Sequence, residues 1–231
     1  MSKYKVILFD ADRTLFDFDA AERNAFGIVM ASFGIEYSDD DFECYKRINN
    51  KMWGLYESGS ITKEELQKRR FAEFLETLDN IPSVDGDAVN RAYVEALADS
   101  SELFPGAAPM CRRLSSRYEL YIVTNGVTAT QKKRFYASEV KDYFKGIFVS
   151  EEAGAPKPMK AYFDHVFASI GEDKRACSVI VGDSLSNDIA GGIAAGIDAV
   201  WYAPNHDINT ADIMPTATVH SFDELEAFLD R

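Results

Sequence analysis

The stretch Tyr4-Lys5-Val6-Ile7-Leu8-Phe9-Asp10-Ala11-Asp12-Arg13-Thr14 decides the fold. Val6 to Phe9 is an unbroken apolar run with β-branched and aromatic members, bounded by polar residues. Such a run suits a strand buried on both faces, as in a parallel sheet covered by helices. It ends in two carboxylates. Extended backbone sends residues i and i+2 to the same side, so Asp10 and Asp12 arrive at one spot beyond the strand's carboxyl end. Open α/β sheets bind their ligands there. Two like charges held close are costly unless a cation or a proton relieves them. An isolated D-x-D is more often a solvated acidic turn, so the residues downstream must decide.

Downstream, the chain first turns helical. Phe26, Val29, Met30 and Phe33 follow helical spacing, and Gly34 is a natural stop. Ser38 caps a second helix, Thr62 with Glu65 forms a capping-box pattern for a third, and Val89, Tyr93 and Leu97 mark a fourth. From Phe104-Pro105-Gly106 onward strands and helices alternate. Strand runs are expected at 118–123, 148–150, 178–181 and 199–202, and Ser221 with Glu224 opens a closing helix. The expected fold is therefore α/β: a Rossmann-like, doubly wound parallel sheet built from residues 1–16 and 101–231. Residues 17–100 form an inserted all-helical domain, expected to cap the end of the first strand.

Four strand ends then carry polar groups. The first gives Asp10 and Asp12. The second gives Thr124, Asn125 and Gly126. Lys157 follows the third, and the fourth gives Asp183 with Asp188 five residues on. Singly, each reads as turn chemistry, a loop lysine or a helix-start acid. Together, each just after a strand run, they form a site. A carboxylate can attack an electrophile while its neighbour moves a proton. Asp183 with Asp10 can hold a hard divalent ion. Thr124 and the N–H groups around Asn125 and Gly126 can bind phosphoryl oxygens, and Lys157 can neutralise the collected charge.

Composition agrees. The 231 residues are 46% hydrophobic, enough for a packed core, and acids outnumber bases 38 to 25 for a net charge of -13. That balance argues against nucleic-acid polymers and anionic membranes as partners, but not against a small phosphorylated metabolite bound with a metal. Cys44, Cys111 and Cys177 are odd in number and lack zinc spacing, and there is no signal-like or membrane-spanning run. A reduced, cytoplasmic protein is expected.

These motifs resemble the haloacid-dehalogenase-like hydrolases, in the subgroup with a helical cap. Asp10-Ala11-Asp12-Arg13-Thr14 matches the first family motif, Thr124 the second, Lys157 the third, and Gly182-Asp183 with Asp188 the fourth. The longer stretches DADRTLFDFD, VTNG and VGDSLSNDI are similar to the pyrimidine 5'-nucleotidase branch. Arg13 departs from that branch, which has a small or amide residue there, and is a candidate for the substrate entrance. The resemblance implies a magnesium-dependent phosphomonoester hydrolase. Asp10 would be the nucleophile forming an aspartyl-phosphate, and Asp12 the acid and base. Asp10, Asp12 and Asp183 would hold the metal, with Asp188 behind them orienting ligands and Lys157.

Two other functions remain to be weighed. A haloacid dehalogenase is disfavoured, because its halide needs no proton and its relatives lack an acid at the position of Asp12. A phospho-receiver module is disfavoured by the helical insert and by an acid poised to hydrolyse the phospho-aspartate. In the insert, Asn49 and Asn50 could bond a ligand or face water. Trp53 and Tyr56 could stack a base, but helical spacing reads them as core.

Overall fold

The computed structural model describes residues 3–79 and 81–230. Its sheet starts with β1, Val6–Phe9, every residue of which is fully buried. Four helices follow: α1 Phe18–Ser32, α2 Asp39–Glu57, α3 Lys63–Leu75 and α4 Gly86–Ala98. After α5, Ala107–Ser115, come β2 Glu119–Thr124, α6 Thr128–Ala137, β3 Phe144–Val149, α7 Ser150–Ala153 and α8 Lys160–Ile170. The chain closes with β4 Ser178–Gly182, α9 Ala190–Ala194, β5 Asp198–Tyr202, β6 Ala217–Val219 and α10 Phe222–Leu229.

All strands pair in parallel, in the order β3-β2-β1-β4-β5-β6. The chain winds outward from β1 through β2 to β3, then returns to the other side of β1 to begin β4. That reversal leaves a crevice beyond the carboxyl ends of β1 and β4. Period-two alternation divides the core between the two sheet faces. Ile7, Phe9, Leu120, Ile122, Val179 and Val181 pack with α5 and α10. Val6, Leu8, Val123, Ile180 and Ala199 pack with α8. The small-residue helix α9 lies close to the sheet, where a Cβ on Gly192 would stand 2.5 Å from Ile180.

Two strands differ from the sequence expectation. β3 begins four residues earlier than expected, because Lys145 and Gly146 interrupt the apolar run of an edge strand that pairs on one side only. β6 was not expected at all: three residues at the other edge carry too little pattern to be seen.

The chain divides into two compact units, Met1–Phe18 with Ser101–Arg231 and Asp19–Ser100. The second unit is α1–α4, built on an aromatic cluster of Phe26, Phe42, Tyr45, Phe71, Phe74 and Tyr93. Ser38 and Thr62 cap α2 and α3 with reciprocal capping boxes to Asp41 and Glu65. Asn49 is buried rather than facing water: it donates to Glu22 at 2.9 Å and accepts from Arg70, which also donates to Asn90. Trp53 and Tyr56 are half-buried and do not fill the core as their spacing suggested. They meet edge to face, with the Lys63 ammonium over both rings. No helix among the described residues is long and apolar enough to cross a membrane.

Candidate active site

The crevice at the ends of β1 and β4 is where the polar groups gather. The register aligns Phe9 with Val181, and the Asp10 N–H donates to the Val181 carbonyl at 2.9 Å, so the residues following each strand stand side by side. Asp10, Asp183 and Asp188 each offer a carboxylate oxygen within 4.8 Å of the others. Asp188 reaches the cluster from a single π-helical turn, Leu185–Ile189, and its carboxylate accepts from the Ser184 N–H at 3.1 Å. Such turns concentrate at functional sites. Gly182 leaves the space: a Cβ there would lie 2.3 Å from the Asp188 carboxylate. The Asp183 carbonyl is anchored by the Trp201 indole N–H at 2.8 Å.

Lys157 is the cation of the cluster. Its ammonium donates to Asp10 and Asp188, each at 2.6 Å, and to the Val123 carbonyl at 2.9 Å, so all three protons are used. Asn125 fixes the backbone of that lysine at two points: its amide donates to the Lys157 carbonyl at 2.9 Å and accepts the Lys157 N–H at 2.8 Å. The expected phosphate-binding turn therefore also clamps the lysine loop. Thr124 is buried, and its hydroxyl accepts the Gly126 N–H at 3.1 Å.

Charge at this spot is out of balance. Burial pushes the Asp10 carboxyl well above the usual carboxylate range; Lys157 opposes that, and Asp188 and Asp183 add to it. Asp183 is pushed up to about 7, first by burial and then by Asp188, against the pull of Arg13 and Lys157. Burial works to lower Lys157, but Asp10 and Asp188 outweigh it and hold the ammonium above its ordinary range. Asp10, Asp183 and Asp188 together place more carboxylates here than the Lys157 ammonium can neutralise. Hard oxygen donors with that residual charge fit a divalent cation such as magnesium.

The Asp12 carboxylate lies apart from this group. It accepts from the Gln131 side-chain amide at 2.5 Å and pairs with Arg134 at 2.5 Å. Neither residue was singled out in the sequence. The signal was present but faint: on polar α6, the stripe that carries buried Phe135 also carries Gln131 and Arg134, with buried Ser138 just past the helix end. Arg13 is half-buried with a left-handed backbone, φ 61°, and its guanidinium lies 5.0 Å from the Phe18 ring centroid.

A parallel sheet ordered 3-2-1-4-5-6, with an Asp-x-Asp after its first strand and acids after its fourth, defines a class of α/β hydrolases. Residues 4–196 match the family model for haloacid dehalogenase-like hydrolase. The chain belongs to this family and is a hydrolytic enzyme. It is 37% identical to the HAD-hydrolase YfnB of Bacillus subtilis (strain 168), over all of this chain and 97% of that protein. A crystal structure of YfnB bound to magnesium superimposes with a TM-score of 0.92, covering 99% of each chain. The chain is also 34% identical to the pyrimidine 5'-nucleotidase YjjG of Escherichia coli (strain K12), over 98% of each. It is likewise 34% identical to the pyrimidine 5'-nucleotidase PynA of Streptococcus pneumoniae (strain ATCC BAA-255 / R6), over 99% of this chain and 96% of that one.

Proposed function

We propose that the protein is a magnesium-dependent phosphatase of nucleoside 5'-monophosphates, with pyrimidine nucleotides preferred. The observation that carries the reaction class is the buried cluster of Asp10, Asp183, Asp188 and Lys157, with a second acid, Asp12, two residues beyond the nucleophile. Asp10 and Asp183 would hold the cation, with Asp188 behind them orienting Lys157, and the cation would supply charge neutralisation for an incoming phosphoryl group. Asp12 belongs to the metal site through the family resemblance, although its carboxylate is engaged elsewhere.

The chemistry follows from the residues. An Asp10 oxygen attacks phosphorus, and the bond from phosphorus to the ester oxygen breaks. Asp12, which enters this step as the neutral acid, gives its proton to that leaving oxygen and becomes a carboxylate. Water then attacks the aspartyl-phosphate, Asp12 takes a proton from it, and the bond from phosphorus to Asp10 breaks to release phosphate. Lys157 holds Asp10 in place and offsets its charge, while Thr124 and the turn at Asn125 and Gly126 address the phosphoryl oxygens. A dehalogenase would not need Asp12 as an acid, since a halide leaves without a proton.

The nucleotide preference is supported by the two relatives named as pyrimidine 5'-nucleotidases, each similar over nearly its whole length. We assign leaving-group discrimination to the helical unit, because the groups on the α/β unit address only the phosphoryl group and a cation. The test is turnover of p-nitrophenyl phosphate with and without magnesium, followed by kcat/KM for UMP, dUMP, dTMP, AMP and a set of sugar phosphates. Magnesium-dependent turnover with pyrimidine nucleotides ahead is the expected result. A sugar phosphate ahead by about tenfold, roughly 1.4 kcal/mol of transition-state preference, would overturn the nucleotidase assignment and leave the phosphatase standing.

A further inference from the structure

We propose that Gln131 and Arg134 are positioning residues that hold Asp12 for proton transfer; this rests on the phosphatase reading above. The two side chains project from one face of α6, three residues apart, and each engages a different oxygen of Asp12: Arg134 on Oδ1 and Gln131 on Oδ2. A carboxylate held through both oxygens by donors on a helix has little rotational freedom. Arg134 itself is 1% exposed, and its guanidinium also lies 5.0 Å from the Phe16 ring centroid and 6.0 Å from that of Phe18. Those rings flank the guanidinium, so the donor is fixed before it fixes Asp12.

Two further observations point the same way. A Cβ on Gly126 would lie 2.2 Å from the Gln131 amide nitrogen, so the glycine of the Thr124-Asn125-Gly126 turn is what admits Gln131. The turn after β2 and the holder of Asp12 are thus one continuous piece of chain. Stability does not by itself account for the pair either. Sinking an arginine among apolar groups carries a large desolvation cost, and replacing a buried ion pair by apolar residues of similar volume is often neutral or favourable. What the pair does supply is a defined location for Asp12, and a misplacement of about 1 Å can cost on the order of 10²-fold in rate.

The test is a double-mutant cycle on turnover. Arg134→Met and Gln131→Leu are each made in the wild type and in the Asp12→Asn background, with folding checked by near-ultraviolet circular dichroism. Each is assayed on p-nitrophenyl phosphate and on an alkyl phosphate, whose leaving group needs a proton more. In the wild-type background, Arg134→Met should lower kcat/KM, which reports phosphoryl transfer to Asp10 and not the later hydrolysis, by about 10²-fold on the alkyl ester, and less on the nitrophenyl ester. Gln131→Leu should do the same to a smaller degree while keeping the ion pair. In the Asp12→Asn background neither change should cost anything further. Equal losses of kcat/KM on both esters, or the same loss with and without the Asp12 carboxylate, would mean a purely structural role and overturn the proposal while phosphatase activity stands. Should Arg134→Met fail to fold, Gln131→Leu decides by the same two criteria. Absence of wild-type turnover on either ester would remove the phosphatase reading and this proposal with it.

Discussion

Asp10 is held by a lysine whose three protons are all committed, in a setting that burial makes hostile to charge. Asp10→Asn keeps the shape, but an amide is a poor nucleophile and a poor metal ligand. Turnover should fall to background, and magnesium-dependent activity persisting in that variant would exclude Asp10 as nucleophile. Asp183 allows a second prediction, on stability. Its carboxyl is raised from 3.8 to about 7, so between those values the folded protein binds more protons than the unfolded chain. Stability from this group is therefore lost as pH rises through the window. With a chelator present, Tm should decline from about pH 4 to pH 7, and the decline should flatten when magnesium replaces protons as the counter-charge. Asp183→Asn should flatten it in the chelator as well. Parallel curves for the two proteins would show that Asp183 does not titrate in this range.

The elements explain why these side chains meet. β1 and β4 run in register, so their following residues share one crevice, and the π-helical turn after β4 aims Asp188 back into it. Gly182 makes that return possible. Gly182→Ala would drive a Cβ into the Asp188 carboxylate, 2.3 Å away. The sheet should survive, but Asp188 should leave the cluster, and magnesium affinity measured by titration should drop by about 10–100-fold. Unchanged affinity would mean Asp188 is not needed at the cation. Much of this scale could be read from the sequence. Val6–Phe9 reads as a doubly buried strand, Thr62 with Glu65 as a helix start, and Asp10, Lys157, Asp183 and Asp188 stand out by their place after strand runs. What could not be read were groups whose role depends on direction rather than spacing. Helical periodicity places Gln131 and Arg134 on the stripe of Phe135, yet only the structure shows that stripe meeting Asp12. Likewise Trp53 and Tyr56 have core spacing, but they turn to Lys63 instead. Edge strands β3 and β6 were blurred or missed because one unpaired side relaxes the need for an apolar run.

At the scale of the molecule, each unit has its own core, and the chain leaves the α/β unit at Phe18 and re-enters at Ser101. The two crossing strands of chain are tied there: the Asp17 N–H donates to the Glu102 carbonyl at 3.1 Å, and Phe16 bridges Leu103. A short Gly-Ser linker from Phe18 to Ser101 should therefore join those ends without strain. The shortened protein should fold, bind magnesium and hydrolyse p-nitrophenyl phosphate slowly, while kcat/KM for UMP and for sugar phosphates converges. Retained preference for nucleotides in that variant would place discrimination on the α/β unit instead.

The central claim is that a phosphoryl group passes through Asp10. Asp12→Asn should slow removal of that group more than its formation when the leaving group is p-nitrophenolate, so the intermediate should accumulate. The direct measurement is an acid quench of that variant during turnover of p-nitrophenyl phosphate, with the phosphorylated peptide located by mass spectrometry. The phosphoryl group should lie on Asp10, and only when magnesium is present. Phosphate release with Asp10 unmodified throughout, or a phosphoryl group on another residue, would contradict it.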